Sequence, residues 1–327
     1  MKEKKEKRNF EIKRMRILFL EIALFFLVIV FIFPFFINTL FADAGGNVSV
    51  SSGVSIGQSN PNINSLDIMG GSITLVPNST LLVNCSAIIE DFDGDVDLNS
   101  VRAEFFDNSI SYYGDSDDNN THYTNNSCNI DTDYGDLYEA KVDCLFYVYY
   151  YANPGTWNCT MYVTDFSSYS DLDGNLSIIQ ELLAFGLPES IDYGVINATY
   201  VSSEKEANVA NVGNVKVNLS LSGYAQAVGD GYAMACDYGS TRNISIQYEK
   251  YNLTESISGD LTLSQFEGNY TNLTSNVVVN EFNLDYRTDE EINDRINTTY
   301  WRIYVPTGVA GTCNGTIVFG AIKAVAT

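Results

Sequence analysis

Apolar and polar residues alternate in short runs through most of the chain beyond about residue 66. Alternation with a period of two is typical of β-strands that bury one face. In the first half of this region it predicts strands at Ser72–Val76, Leu81–Ile89, Val101–Phe106, Leu137–Tyr151, Thr156–Thr164 and Leu176–Ala184. In the second half it predicts Ile191–Ile196, Glu206–Val212, Val215–Leu221, Asn243–Tyr248, Leu261–Leu263, Val277–Leu284, Tyr300–Val305 and Thr316–Val325. Turn-forming segments such as DFDGD and DLDGN separate the runs, so we predict an all-β fold.

The N-terminal part has a different pattern, in which apolar residues are continuous. Between Ile17 and Ala42 the only polar side chains are Glu21, Asn38 and Thr39. A helix over residues 17–42 would be about 39 Å long, against a hydrocarbon core of roughly 30 Å. The basic segment 1–16 precedes this run, and flanking Lys and Arg favour the cytoplasmic side. The sequence therefore predicts a single-pass transmembrane helix or signal anchor at 17–42, with the N-terminus cytoplasmic and the bulk extracellular.

Two alternatives exist for the same apolar run. Ala42-Asp43-Ala44 has the small-x-small form of a signal-peptidase site, which would make the run a cleaved secretory signal. Glu21, near the start of the long apolar helix, also resembles the conserved Glu of type IV pilin-like subunits, although Arg16 stands where that family has Gly or Ala. This second resemblance implies a filament subunit that assembles through the 17–42 helix.

Charge is distributed unequally along the chain. The protein has 41 Asp and Glu against 18 Lys and Arg, for a net charge of −23. Residues 1–16 carry +5, whereas the chain after Glu21 has 37 acids and 10 bases and so carries −27. Such a body repels nucleic-acid phosphates, so a nucleic-acid partner is not expected. The single histidine, His122, lies among Asn-rich residues and is predicted to be an exposed loop residue and not a catalytic one.

Sequons of the form N-x-[ST] are about three times as frequent as composition predicts. Random placement gives roughly 5, and the chain has fifteen. All follow the apolar run, which predicts a glycosylated extracellular part. They are Asn47, Asn78, Asn84, Asn119, Asn125, Asn158, Asn175, Asn197, Asn218, Asn243, Asn252, Asn269, Asn272, Asn297 and Asn314.

The six cysteines also lie after the apolar run, and an even number there fits disulfides in an oxidising compartment. Composition and pattern suggest three extracellular segments: a Ser/Gly/Asn-rich spacer at 43–65 and β-sandwich domains at 66–185 and 186–327. The second domain contains only Cys236 and Cys313, which should pair. Three connectivities then remain for the whole chain.

The first domain resembles an immunoglobulin-type sandwich. Cys85 lies in LLVNCSAIIED and Cys159 in GTWNCTMYVTD, with Trp157 two residues before the second cysteine. The resemblance implies a bridge between strands B and F, hence Cys85–Cys159, and leaves Cys128 to pair with Cys144. This sequence departs from the immunoglobulin pattern in one respect. There the core Trp lies on strand C, between the two cysteine strands, whereas Trp157 lies beside the second cysteine.

Further resemblances concern the surface. The segment NVGNVKVNLSLSG resembles CARDB-like adhesion modules, and the closing YWRIYVPTGVAGTCNGTIVFG is similar to the final strands of archaeal cell-surface proteins. A basic anchor, polar spacer, dense sequons and tandem sandwiches also resemble that class. The resemblance implies a structural or adhesive role at the archaeal envelope, with a surface glycan, another surface protein or a second copy as partner. A secreted hydrolase is a weaker alternative because no catalytic motif occurs, and we predict a protein that is not an enzyme.

Acidic residues form the one constellation that points to a ligand. Asp91, Asp93, Asp95 and Asp97 follow the predicted strand B, and Asp165 with Asp171 and Asp173 follows strand F. In an immunoglobulin-like sandwich the loops after B and F share one pole. Carboxylate oxygens meeting there suit Ca²⁺, which takes six to eight oxygen ligands. The sequence thus predicts a possible calcium site; the alternative is that each DxDG is simply a tight turn on an acidic surface.

Overall fold

The computed structural model describes residues 14–16, 18–24, 49–289 and 295–324. Residues 14–16 and 18–24 are helical. Residues 1–13 of the predicted cytoplasmic segment, residues 17 and 25–42 of the predicted anchor, and Asn47 lie outside the described ranges. Within those ranges no helix combines the length and apolarity needed to cross a membrane. The chain divides into two units, Met1–Gly57 and Gln58–Thr327, and the second contains all the strands described here.

Nine strands in the first part of this unit form two sheets around one core. One sheet has the order β1-β3-β7-β6 and the other β2-β9-β8-β4-β5. The strands are β1 (Asn62–Ile68), β2 (Ser72–Ile73), β3 (Thr80–Glu90), β4 (Leu98–Asp107), β5 (His122–Asn125), β6 (Asn129–Asp131), β7 (Glu139–Tyr149), β8 (Gly155–Asp165) and β9 (Ser170–Ile179). Alternation places side chains such as Val83, Cys85 and Ile89 of β3 in the core. We call this the first sandwich.

The remaining eleven strands surround a second core. Their sheets have the orders β10-β11-β18-β15-β16, β17-β12-β20 and β14-β13-β19. The strands are β10 (Phe185–Gly186), β11 (Lys205–Asn211), β12 (Val217–Tyr224), β13 (Tyr232–Tyr238), β14 (Asn243–Ser245), β15 (Glu249–Asn252), β16 (Thr271–Asn272), β17 (Val278–Leu284), β18 (Ile296–Ile303), β19 (Ala310–Asn314) and β20 (Thr316–Lys323). Trp301 of β18 is fully buried in this core. We call this the second sandwich.

The all-β prediction is confirmed, and the three preferred cysteine pairs are present. Cys85–Cys159 joins β3 to β8, and so one sheet of the first sandwich to the other. Cys128–Cys144 ties the segment between β5 and β6 to β7. Cys236–Cys313 links β13 to β19. Among the described residues no cysteine is free.

Several strand predictions were wrong. Ile191–Ile196 belongs to no strand, although Tyr193 enters the core. Leu261–Leu263 leads into a short helix, Leu263–Asn269, whose first turn is fixed by a capping box between Thr262 and Gln265. The predicted spacer 43–65 runs into β1, which begins at Asn62.

Other strands escaped prediction because their patterns are short or interrupted. They are β1, β5, β6, β10, β13, β15, β16 and β19.

The two sandwiches are joined by a buried polar junction. Asn214 accepts a hydrogen bond from the Leu182 N–H at 2.6 Å and donates to the Ala152 carbonyl at 3.0 Å. A Cβ on Gly213 would lie 2.0 Å from the Leu182 carbonyl oxygen, so only glycine fits there. The NVGN segment, residues 211–214, therefore starts at the end of β11 and forms the contact with the first sandwich.

Candidate metal centre

Three aspartates meet at one pole of the first sandwich. Asp91 directly follows β3, Asp97 directly precedes β4, and Asp165 is the last residue of β8. The β4–β8 ladder pairs Leu98 with Asp165, which brings Asp97 beside Asp165. The loops after β3 and β8 therefore share a pole, as the sequence predicted.

The oxygen atoms of this cluster are close enough to share one ion. One carboxylate oxygen from each of Asp91, Asp97 and Asp165 lies within 4.8 Å of the others. Calcium–oxygen distances are about 2.3–2.6 Å, so oxygens around one Ca²⁺ have separations of this size. The arrangement therefore has the dimensions of part of a calcium coordination sphere.

Each of the three aspartates keeps one buried oxygen without a hydrogen-bond partner. The Oδ2 atoms of Asp91, Asp97 and Asp165 are buried and unbonded. Asp91 and Asp165 as whole residues are 0 % and 1 % exposed. A buried carboxylate without a partner is unstable unless a proton or a cation compensates it. These orphaned oxygens are the evidence that separates the cluster from an ordinary acidic surface.

The second oxygen of two of these carboxylates has a structural task. Asp91 Oδ1 accepts the Asp93 N–H at 3.0 Å, which closes the turn after β3. Asp165 Oδ1 accepts the Tyr169 N–H at 2.7 Å in the turn that leads to β9. These bonds restrict the orientation of each carboxyl group and leave its Oδ2 atom without a hydrogen-bond partner.

Electrostatics at this pole favour a positive ligand. Burial, opposed by the hydrogen bond from Asp93, raises the pKa of Asp91, and repulsion from Asp93, Asp97 and Asp165 raises it further. None of the ion pairs between described residues involves Asp91, Asp97 or Asp165. The cluster therefore concentrates negative charge without a protein cation to balance it.

The other aspartates of the predicted calcium site lie elsewhere. Asp93 accepts a hydrogen bond from the Ser59 N–H at 2.6 Å. Asp95 is buried near the start of β7, where its N–H donates to the Leu137 carbonyl, and it does not belong to the cluster. Asp171 accepts the Ile63 N–H at 2.9 Å. Asp173 lies opposite Met161 in the middle of the β8–β9 ladder.

The expectation that DLDGN forms a loop was wrong, because the segment continues β9. Gly174 is needed there for a different reason. A Cβ at this position would approach Asn158 Oδ1 to 2.9 Å and the Cys159 carbonyl to 3.2 Å. Gly174 therefore allows β9 to pack closely against β8, and it does not form a turn.

A second polar constellation lies around His122, which the sequence placed in an exposed loop. The residue is in fact fully buried in β5 and stacks on Phe106, with ring centroids 5.5 Å apart. Its Nδ1 lies 2.9 Å from Ser111 Oγ, and its Nε2 lies 3.3 Å from Glu104 Oε2, outside hydrogen-bond geometry. Ser, His and Glu in contact resemble the parts of a hydrolytic triad. Ser111 is itself buried, so the Oγ that would have to reach a substrate is packed inside the protein.

None of the fourteen sequon asparagines that the structure describes is buried. Asn78, Asn175, Asn197, Asn269, Asn272, Asn297 and Asn314 are exposed. Asn84, Asn119, Asn125, Asn158, Asn218, Asn243 and Asn252 are of intermediate exposure.

Their Nδ2 atoms, where a glycan would be attached, differ in what they bind. Asn175 Nδ2 donates to the Leu66 carbonyl at 2.6 Å, which ties β9 to β1. Asn197 lies in an exposed turn.

Comparison with known proteins adds no functional argument. No protein-family model and no curated protein matches this sequence. Among solved structures, a carbohydrate-binding module of the β-sandwich superfamily is 11% identical, with 81% of this chain and 97% of that chain covered and a TM-score of 0.24.

Two further structures are similar at the same level. A chaperone–tip adhesin complex of CFA/I fimbriae is 9% identical, over 77% of this chain and 78% of that chain, with a TM-score of 0.28. The C-terminal domain of the Streptococcus agalactiae AgI/II polypeptide BspA is also 9% identical, over 78% and 91%, with a TM-score of 0.24. Likeness this low carries no argument, and the fold and the site rest on the chain's own residues.

Proposed function

We propose that this chain is a membrane-anchored extracellular glycoprotein with a structural or binding role at the cell surface. Residues 17–42 would anchor it, residues 1–16 would lie in the cytoplasm, and the sandwiches would face outward. The observation that carries this proposal is the pairing of all six cysteines inside two β-cores. Disulfides of this kind persist in oxidising compartments and are reduced in the cytosol of most organisms.

Calcium completes the proposal as a structural ligand. Asp91, Asp97 and Asp165 would hold the ion, and it would join the β3–β4 segment to the end of β8. Extracellular calcium modules bind in the 10⁻⁴–10⁻³ M range, where free Ca²⁺ outside cells saturates them. The ion would stiffen one pole of the first sandwich and perform no chemistry on a substrate.

A binding role fits the described residues better than a hydrolytic one. The Ser111–His122–Glu104 group is enclosed, and the candidate metal cluster consists of three carboxylates. The excess of acidic residues would keep the extracellular part soluble and discourage non-specific contacts. Hydrolysis of a polysaccharide or peptide that is lost in Asp91→Asn would contradict this part of the proposal.

Peptide mapping of the protein isolated from its natural host tests the proposal. We expect an N-terminus that still includes the basic segment 1–16 before the 17–42 helix, three disulfides, and glycans on asparagines with free Nδ2 atoms. Asn197 should be occupied more fully than Asn175, because a glycan on Asn175 must break its bond to Leu66. Free thiols together with unmodified Asn197 would refute an extracellular location, and a start near Ile17 would favour the pilin-like alternative.

A further inference from the structure

One edge of the second sandwich has no strand beside it. In the described part of the chain β20 pairs only with β12, and β19 pairs only with β13. Thr316–Lys323 is rich in β-branched and apolar residues and carries a single charge, at Lys323. Natural proteins usually cover such an edge or interrupt it with charges or proline. This edge is therefore available to another strand.

A cleft lies along the same edge. Residues 309–317 and Phe319 line it on one side, and the segment 187–196 lines it on the other. Its volume is about 950 Å³, and Ile303 and Ile244 of the core form part of its wall. The segment 187–196 inserts Tyr193 into the core but shares no ladder with β19 or β20. None of the described strands occupies the space between these two walls.

Residues 49–57 resemble a strand in sequence but pair with none of the described strands. From Val48 to Ile56 the apolar residues Val48, Val50, Val54 and Ile56 share one parity, with Ser52 between them. Residues 49–57 form no strand, and Val50, Val54 and Ile56 are 76%, 84% and 86% exposed. No charged residue occurs from Ala44 to Leu66. Period-two alternation of valine and isoleucine without charge is the pattern of a half-buried strand.

We propose that residues 49–57 of one copy add as a strand to the β19–β20 edge of a second copy. Backbone hydrogen bonds to the open edge would supply the pairing, and the valines and the isoleucine would enter the cleft beside Phe319. The proposal rests on the proposed function and names its partner as another copy of this chain. Because each copy carries one segment and one edge, the contact is heterologous and repeats from molecule to molecule.

Two properties of the segment favour this occupant. It is uncharged, so it can approach a surface of the same strongly acidic protein without repulsion from its own residues. It also leads into the Ser/Gly/Asn-rich residues before β1, which can span a variable distance between neighbouring molecules. The wall segment 187–196 is the competing occupant within the same chain, but Asp192 and Gly194 interrupt its apolar face.

Photo-cross-linking of the full-length chain tests the contact. A photo-reactive residue replaces Val54, and the protein is mixed in equal amounts with ¹⁵N-labelled chain without the probe. We expect cross-links from position 54 to residues 187–196 or 310–323 of the labelled copy. Cross-links within one copy, to the opposite edge at Val278–Leu284, or to no defined position would overturn the proposal.

A substitution series provides an independent readout. Val54→Asp and Ile56→Asp should shift the protein from oligomers toward monomers in sedimentation, by at least tenfold in the association constant. The matched control is Val228→Asp, which alters an equally exposed valine in the loop between β12 and β13. An unchanged distribution in Val54→Asp, or a chain that is monomeric at all concentrations, would refute self-assembly. A glycosylated and disulfide-bonded monomer would still satisfy the proposed function, so the two failures are distinguishable.

Discussion

The two sandwiches bury carboxyl groups in opposite ways. In the first, Asp91, Asp97 and Asp165 lie together with orphaned oxygens. In the second, Glu249 is a single buried carboxyl group, and Tyr193 Oη donates a hydrogen bond to its Oε1 at 2.9 Å. Both arrangements remove negative charge from water, yet they require different compensation.

The difference follows from the number of charges. Burial disfavours the charged form of Glu249 and raises its pKa to about 7. Below that pH, one proton neutralises this single carboxyl group. Three clustered carboxylates would need several protons, whereas one divalent cation balances two charges and coordinates all three groups. The first sandwich should therefore respond to calcium, and the second should respond to pH.

The largest expected effect is the pH dependence of the second sandwich. The pKa of Glu249 rises from 4.5 in the unfolded chain to about 7 in the folded one. The folded state thus binds the extra proton between these values, so stability is highest below pH 4.5 for this group and falls as pH rises to 7. The total loss is about 3 kcal/mol.

Glu249→Gln should abolish most of that loss, since the amide cannot ionise. Denaturant unfolding at pH 5 and pH 8 measures it. Glu206→Gln, an exposed substitution on β11, is the control. A wild-type protein whose stability does not fall between these pH values would show that Glu249 is already compensated.

Calcium should have the next largest effect, and it should act on the first sandwich. Binding to the folded state alone adds about 2.7 kcal/mol at a Ca²⁺ concentration 100 times the Kd. Asp91→Asn should remove this increase and, in chelator, should stabilise the protein because one repulsive charge is lost. Calorimetric melting with 10 mM Ca²⁺ or with chelator measures both effects.

Asp173→Asn is the matched control for the calcium effect. Asp173 belonged to the predicted site but lies outside the cluster, so its variant should keep the full calcium response. Equal losses in Asp91→Asn and Asp173→Asn would indicate general screening of acidic charge and would remove the site. If the melting temperature of the wild type were the same in Ca²⁺ and in chelator, the calcium site would also be refuted.

The sequence predicted one half of this contrast and missed the other. The D-x-D-G-D turn after Ile89 and the disulfide partners Cys85 and Cys159 could be located because strong alternation fixes β3 and β8. That Asp165 joins the cluster while Asp171 and Asp173 do not depends on the pairing of Leu98 with Asp165, and inter-strand register is not encoded in any short segment. Glu249 had no signal, because the pattern of EKYN predicts neither a strand nor a buried position.

The alternation of apolar and polar residues also gave a wrong strand prediction where it reflects burial of side chains without strand pairing. Ile191–Ile196 alternates because Tyr193 and its neighbours contact the core, yet the segment forms no ladder with any of the described strands. The reverse holds for DLDGN, whose turn residues occupy a continuous strand because β8 supplies ten consecutive partners for β9. Local pattern and tertiary pairing are separate requirements, and the second overrides the first.

The smallest predicted effect sharpens the comparison at Tyr193. The hydrogen bond from Tyr193 favours the ionised form of Glu249 and so opposes the effect of burial on its pKa. Tyr193→Phe should therefore raise the pKa of Glu249 above 7. The variant should lose about 1 kcal/mol at pH 8, where the bond joins a charged acceptor, and less at pH 5, where the acceptor is neutral.

Unfolding of Tyr193→Phe at both pH values, in chelator, measures this difference, and Tyr200→Phe provides a control on an exposed tyrosine. The calcium response of Tyr193→Phe should remain that of the wild type, since the two buried acidic groups belong to different cores. If the substitution also weakened the calcium response, the junction at Asn214 would transmit strain between the sandwiches, and their separate chemistry would have to be treated as one coupled system.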